Sequence, residues 1–447
     1  MKKLLYILLL FCPVLVVAQG YTLEQCINMA FKNSYDIKNS RLDYEMADQT
    51  KKEVFTKYFP SISAAGMAFD ASEYLINENI DLSPVGKILA GMGYDPIALG
   101  LPSSIPVQMI KNGAIGFVSA TQPVFAGGQI INGNKLAKVG RDVSKLKITL
   151  SENEVISKTE EYFWQIVSLK EKLKTLDVAD TQLAELNKKV KAAVSAGLTT
   201  RNDLLRVELQ QQNMESNRIK VDNGIKIYKL LLCNITGAAV DSFDIAISGF
   251  PIVKDPLEYY ISAEQGIEGR TENQLLEKGV KAASLQYKMA IGKNMPTVAA
   301  GAGYIYQNLL EKDVNFGMIF ATVSVPISSW WGGSHAIKRE KYNEIKTENQ
   351  RKDMRKMMAV DIESKWNILQ ESYLQIRIAL KSIESATENL HISCDYYNAG
   401  TVSLADLLEA QTLLQQGRDQ YTNACTTYYV KLSAYMQATG RYPHAAN

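Results

Sequence analysis

Apolar residues recur along this chain in two rhythms. Leu169, Leu173, Leu176, Leu183, Leu186, Val190 and Ala193 are spaced by threes, fours and sevens, and Lys170, Lys172, Lys174, Glu185, Lys188 and Lys189 fill the other positions. That is a helix with one narrow apolar seam, suited to neighbouring helices in a coiled coil rather than to a globular core. Over Val314–Phe320 the rhythm is two. Phe316, Met318 and Phe320 fall on one side of an extended segment, and Asn315 and Gly317 on the other. Ala114–Thr121 and Val298–Tyr306 alternate more faintly and are rich in Gly and Ala.

Proline sets the lengths. There is none between Gly128 and Phe250 and none between Ser328 and Arg441. A helix interior excludes proline, which lacks an N–H and clashes with the preceding turn. Helix is therefore predicted from about Gln129 to Ala196 and from about Ser334 to Ala399, rods of roughly 100 Å. Gly197 and Gly400 follow them as left-handed C-terminal caps. Thr200 or Asn202, and Ser403, are the candidate N-caps of return helices. Those end at Thr236-Gly237 and Thr439-Gly440.

The same landmarks reveal a repeat. Phe117, Pro123, Gly197 and Asp203-Leu204-Leu205 return 203 residues later as Phe320, Pro326, Gly400 and Asp406-Leu407-Leu408. Pro60–Gly66 and Pro296–Gly301 open the strand region of each copy at an offset of 236, so the first copy carries 33 extra residues. The unit is helix, strand, strand, long helix, tight turn, helix. The expected organisation is a signal segment 1–18 followed by a first repeat 19–236, with strands near 61–75 and 113–125 and a hairpin over 129–236. A connector 237–258 leads to a second repeat 259–440, with strands near 297–308 and 314–327 and a hairpin over 334–439. A tail 441–447 ends the chain.

Lys2, Lys3 and the apolar run Leu4–Val17 read as an export signal cleaved after Ala18. An uncleaved anchor is the rival, and Cys12 raises lipidation as a third reading. Without Lys2 and Lys3 the formal charge falls from +2 to zero. That leaves no basic excess for nucleic acid. Cys26, Cys233, Cys394 and Cys425 are scattered, without metal or disulfide-framework spacing. No later segment reaches the ~20 apolar residues of a spanning helix, so a membrane crossing would need strands closed into a barrel. Four strands cannot close one alone, and the requirement is oligomerisation. Two ordinary soluble hairpins remain the alternative reading of the strand pattern.

At this point the chain resembles the TolC-like outer-membrane efflux proteins over nearly its whole mature length. Tyr21–Ser34 looks like that family's opening helix, which continues to Tyr58-Phe59-Pro60-Ser61. Gln122-Pro123-Val124-Phe125 with Gly127-Gly128 is similar to its second strand entering the first long helix, and Gly197–Leu205 and Gly400–Leu408 to its hairpin tips. The resemblance implies a mainly α fold with a small β part. It implies a homotrimer in which each chain gives four strands to a twelve-stranded outer-membrane β-barrel, continued by a long α-helical coiled-coil periplasmic barrel. The residues around 237–260 would belt its middle. It further implies outer-membrane lipid, a periplasmic adaptor (membrane fusion protein) and an inner-membrane transporter as partners, no cofactor, and a Gram-negative outer-membrane location.

The resemblance also nominates site residues. Asp406 and Glu409, one helical turn apart, match acidic residues of a periplasmic constriction. Trimerisation would make them a six-carboxylate collar favouring cations. Asp406 could equally serve as a charge at the start of its helix. Tyr397 and Asp203 match a tip latch, with ordinary tip packing beside Tyr396 as the alternative for Tyr397. The family's arginine is replaced by Val402, and Arg201 could substitute. Gly197, Leu198, Thr199, Gly400, Thr401 and Val402 would meet the adaptor. The insertion from about Asn77 to Asn112, with four prolines, reads as a decorated surface loop, or else a lid.

No catalytic or metal constellation emerges from His335, His391 and His444. Gly128–Gly133 has phosphate-loop spacing but is followed by Asn134, not lysine. The expectation is a passive exit duct. A soluble periplasmic coiled-coil adaptor or scaffold is the second reading.

Overall fold

The computed structural model describes residues 20–246, 249–309 and 312–442. The signal segment 1–18 with Cys12, and the tail beyond Tyr442 with His444, lie outside the described residues.

The first half runs through helices α1 (Leu23–Asn33) and α2 (Tyr35–Phe55), strand β1 (Ser61–Asp70), strand β2 (Ile76–Asp81), helix α3 (Ser83–Gly91), strands β3 (Ser104–Met109) and β4 (Asn112–Ala126), and helices α4 (Gln129–Ser195) and α5 (Arg201–Thr236). The second half runs through α6 (Ala263–Gly269), α7 (Thr271–Lys293), β5 (Thr297–Asn308), β6 (Asp313–Ser324), α8 (Ser329–Asn398) and α9 (Leu404–Ala438). The two element orders agree once β2, α3 and β3 are set aside. With α4 at 67 residues and α8 at 70, the fold is mostly helical with a small sheet part.

The described residues form two compact units, one of 20–47, 140–280 and 347–442, the other of 48–139 and 281–346. In the helical unit, apolar residues close into four clusters. Phe163, Tyr428 and Tyr435 are among its fully buried side chains. Buried phenols need partners. The Tyr428 hydroxyl donates to the Lys254 carbonyl at 2.7 Å, and the Tyr435 hydroxyl accepts from the Ile261 N–H at 3.2 Å. Trp164 stacks on Tyr429 with centroids 4.2 Å apart, and Phe250 lies parallel to Tyr429. Around the 237–258 segment, Tyr21 N–H donates to Asp244 O and Ala246 N–H to Tyr21 O. The Asp244 carboxylate is held by Lys170 at 2.6 Å and Lys229 at 3.1 Å.

In the other unit β1, β4, β5 and β6 form one antiparallel sheet in that order. The register aligns Gly66 with Gly116, Gly116 with Tyr306, and Tyr304 with Gly317. Pro123, which cannot donate to the ladder, sits at a register shift between Pro123 and Phe125.

The insertion differs from the loop expected of it. β2 and β3 pair from Ile76↔Met109 to Asp81↔Ser104, with α3 in their connection. The turn is made locally: Asp81 Oδ1 accepts from the Ser83 N–H at 2.8 Å, and Pro84 lies in the first turn of α3. Ile76, Ile80, Ile105, Val107 and Met109 share one face of this hairpin with Glu78, and Asn77, Asn79, Asp81 and Gln108 lie on the other. Pro106 within β3 and Glu78 on the apolar face obscure that alternation in the sequence.

Candidate functional site

The two hairpin turns of the helical unit are built on one plan. Gly197 and Gly400 take φ of +70° and +75°, which a Cβ would strain. At the first turn Leu198 N–H donates to Ala193 O at 2.9 Å and Gly197 N–H to Val194 O at 3.0 Å. At the second, Thr401 N–H donates to Tyr396 O at 2.9 Å and Gly400 N–H to Tyr397 O at 3.0 Å. Each pair satisfies carbonyls that the helix end leaves orphaned. A capping box then restarts each helix. Thr200, rather than Asn202, caps α5, with Asp203 N–H donating to Thr200 Oγ1. Ser403 caps α9, with Asp406 N–H donating to Ser403 Oγ.

The acidic residue of each box therefore has a local duty. Asp406 Oδ2 accepts from Ser403 Oγ at 2.7 Å and Ser403 N–H at 3.0 Å, and these bonds lower its carboxyl pKa. Asp406 and Glu409 are both exposed, on the side of α9 away from buried Leu404, Leu407 and Ala410. Asp203 Oδ2 accepts from Thr199 and Thr200 hydroxyls, each at 2.7 Å, and those bonds lower its pKa. Arg206 adds to that shift, and Arg201 stands exposed in the first turn of α5. Burial raises the Tyr397 phenol pKa, and the Asp203 charge raises it further. Tyr397 and Asp203 are thus electrostatic neighbours, while the carboxylate's hydrogen bonds go to Thr199 and Thr200. Leu198 is 81 % exposed, whereas Val402 is partly buried.

One buried acid escaped the sequence reading. Burial raises the Glu160 pKa against the opposing effect of Ser433 and Tyr442 hydrogen bonds. The Tyr442 hydroxyl donates to Glu160 Oε2 at 2.8 Å and is also hydrogen-bonded to Ser433 Oγ. No local motif announces this site, because its partners lie hundreds of positions away. Cys26 and Cys233 share one core cluster; burial, then the nearby Cys233, pushes the Cys26 thiol up to about 12.

The sheet has two unlike faces. By register, Ile62, Ala64, Val118, Ala120, Ala302, Ile319, Ala321 and Val323 share one, which ends in Tyr304 and Tyr306. Between the row of Gln122 and that of Tyr306 and Asn315, this face carries no hydrogen-bonding side chain except Tyr304. Along β5 it is also the more exposed: Ala300, Ala302, Tyr304 and Tyr306 are open, while Ala299, Gly301, Gly303 and Ile305 are half-buried. The opposite face mixes Phe117, Phe316, Met318 and Phe320 with Thr121, Thr322 and the hydrogen-bonded pair Ser63–Ser119. β1 and β6 are each paired on one side only, leaving two free edges. No helix among the described residues is long and apolar enough to cross a membrane.

Residues 274–441 match the family model described as Outer membrane efflux protein. The fold is that of the TolC-type outer-membrane channels. CusC aligns with TM-score 0.77 and 12 % identity, covering 94 % of this chain and 92 % of that one. The CmeC outer membrane channel of Campylobacter jejuni aligns with TM-score 0.75 and 14 % identity, covering 95 % and 87 %. VceC from Vibrio cholerae aligns with TM-score 0.75 and 13 % identity, covering 94 % and 96 %. No curated protein sequence matches the chain significantly. At such identities the shared quantity is the TolC-type architecture, and this chain's own residues must carry the rest.

Proposed function

We propose that the protein is a passive exit duct in the outer membrane of a Gram-negative bacterium, working as a homotrimer. It would receive substrates from an inner-membrane transporter through a periplasmic adaptor. The observation that carries this reading is the sheet, with its two free edges, its outward apolar face and its bounding tyrosines. Hydrocarbon tolerates no open sheet edge, so lipid requires these edges to be paired with other copies. A soluble scaffold would leave the same apolar face in water. A duct needs a wet lumen and a closable end, and no catalytic group.

The tip residues enter the same proposal. Asp406 and Glu409 of three copies would form a negative collar, with Asp406 also capping α9. Tyr397, Asp203 and Arg201 would take part in closing the tip. Gly197, Leu198, Thr199, Gly400, Thr401 and Val402 would present it to the adaptor. Recovery in the outer-membrane fraction as a heat-modifiable trimer, with conductance in planar bilayers, tests the channel; a soluble exported monomer would overturn it. Asp406→Asn with Glu409→Gln is expected to weaken block by multivalent cations, and unchanged block removes the collar.

A further inference from the structure

Charge in the sheet-bearing unit is segregated along the strands. On the helix side of the sheet, residues 48–60, 127–139, 281–296 and 325–346 contain twelve Lys and Arg against four Asp and Glu. On the other side, the described residues 70–112, 308–309 and 312–313 contain three basic residues against six acidic ones. The excess on the helix side is not consumed by internal pairing. Lys57, Lys135, Lys138, Lys293 and Lys338 are exposed, and among the described residues none has an ion-pair partner.

The same level carries exposed aromatic rings, of which the Tyr and Trp rings are amphipathic. Phe55, Tyr58 and Phe59 precede β1, and Trp330 and Trp331 open α8, with Trp331 80 % exposed. Phe55 packs edge-on against both Tyr58 and Phe59. The Trp330 indole N–H donates to the Asn294 carbonyl at 2.9 Å, which fixes that ring at the strand–helix junction. Such rings settle where hydrocarbon gives way to headgroups, and free lysines beside them reach outward to the headgroup charge.

We infer that this junction is a docking collar for anionic phospholipid headgroups of the periplasmic leaflet. The inference rests on the reading of the sheet as a membrane barrel. Polarity, depth and charge sign agree: the lysines lie on the side from which the helices leave the sheet, at the level of the interfacial rings. The acidic far side of the same sheet offers no matching cationic ring. A zwitterionic headgroup gives these lysines a weaker net attraction, so the collar selects charge rather than lipid in general.

Trp330 and Trp331 report on this directly, since the other two tryptophans, Trp164 and Trp366, are buried in the helical unit. The purified full chain is reconstituted in mixed phosphatidylcholine and phosphatidylglycerol vesicles, with bromine on the acyl chains of one lipid at a time. The expected result is stronger tryptophan quenching by brominated phosphatidylglycerol, equivalent to roughly a threefold or greater preference at low salt. Replacing Lys57, Lys135, Lys138, Lys293 and Lys338 by Gln is expected to bring that ratio near one, while replacing them by Arg retains it. Trp330→Phe with Trp331→Phe should abolish the quenching. Equal quenching by both lipids overturns the inference but leaves the membrane barrel standing. Absence of quenching by either lipid removes the barrel reading itself. Loss of the preference on adding inorganic phosphate at constant ionic strength would also overturn it, by showing a phosphate site in place of a lipid surface.

Discussion

In the helical unit Phe163, Tyr428 and Tyr435 are wholly removed from solvent, whereas in the sheet-bearing unit Ile62, Val118 and Ile319 stand 74 %, 50 % and 90 % exposed. Both units are rich in apolar side chains, so composition does not separate them. Geometry does. Helices with narrow seams cover one another and can satisfy their polar groups internally, as Tyr428 and Tyr435 do through Lys254 and Ile261. A four-stranded sheet whose apolar face is left exposed among the described residues calls for a cover. On the proposed reading, the difference separates a part stabilised by its own packing from a part that lipid and further copies would cover.

That contrast breaks most visibly through one substitution in each unit. Phe163→Ala, in a cluster with Trp164, Ile166 and Leu232, should cost about 3–5 kcal/mol. It should lower the urea midpoint of the far-ultraviolet dichroism signal in detergent. Ile319→Arg, on the outward face of β6, should leave that midpoint unchanged. It should instead weaken folding into bilayers by about 2–4 kcal/mol, the cost of a cation facing hydrocarbon. Normal bilayer insertion of Ile319→Arg would mean that the exposed face does not meet lipid.

A smaller effect compares the two turns. Thr200→Ala and Ser403→Ala each remove an N-cap and should destabilise by about 1 kcal/mol, read from the same urea midpoint. Similar losses at both sites would show that the shared geometry is structural. A further change in cation block confined to Ser403→Ala would tie the second turn, through the released Asp406 carboxylate, to conduction.

How much of this the sequence showed follows from how local each cause is. Proline exclusion and the cap residues set the long helices, and α4 begins at Gln129 as expected. α8 begins at Ser329 rather than near Ser334, because the Gly332-Gly333 pair is carried within the helix. Helix ends are local events, so Gly197, Thr200, Gly400 and Ser403 were legible one by one. The hairpin of β2 and β3 was not, because both strands are short and Glu78 and Pro106 interrupt their two-residue period. The pairing of Tyr397 with Asp203 came from the family resemblance, whereas the partners of Glu160 are set by packing between distant segments, which no spacing rule encodes. Tyr397 meets Asp203 only through its field, and Glu160 is joined by a tyrosine 282 positions away.

Glu160 gives the last and smallest separation between buried and exposed parts. Its pKa is raised by burial, so the folded state keeps this proton to higher pH than the unfolded chain. Its contribution is most favourable at acid pH and is lost as pH rises from the unfolded value of about 4.3 through the raised one. Asp203 and Asp406 behave oppositely. Their pKa values are lowered by capping bonds, so their contribution is present above about 3.9 and is lost as pH falls. Glu160→Gln keeps an acceptor for the Tyr442 hydroxyl while removing the titration. It should therefore flatten the loss of stability on the rising-pH side and leave the acid limb in place. Asp406→Asn should do the reverse, softening only the acid limb. Urea midpoints measured from pH 3 to pH 8 separate the two, and a Glu160→Gln profile parallel to the native one would mean that this carboxyl titrates as if it were in water.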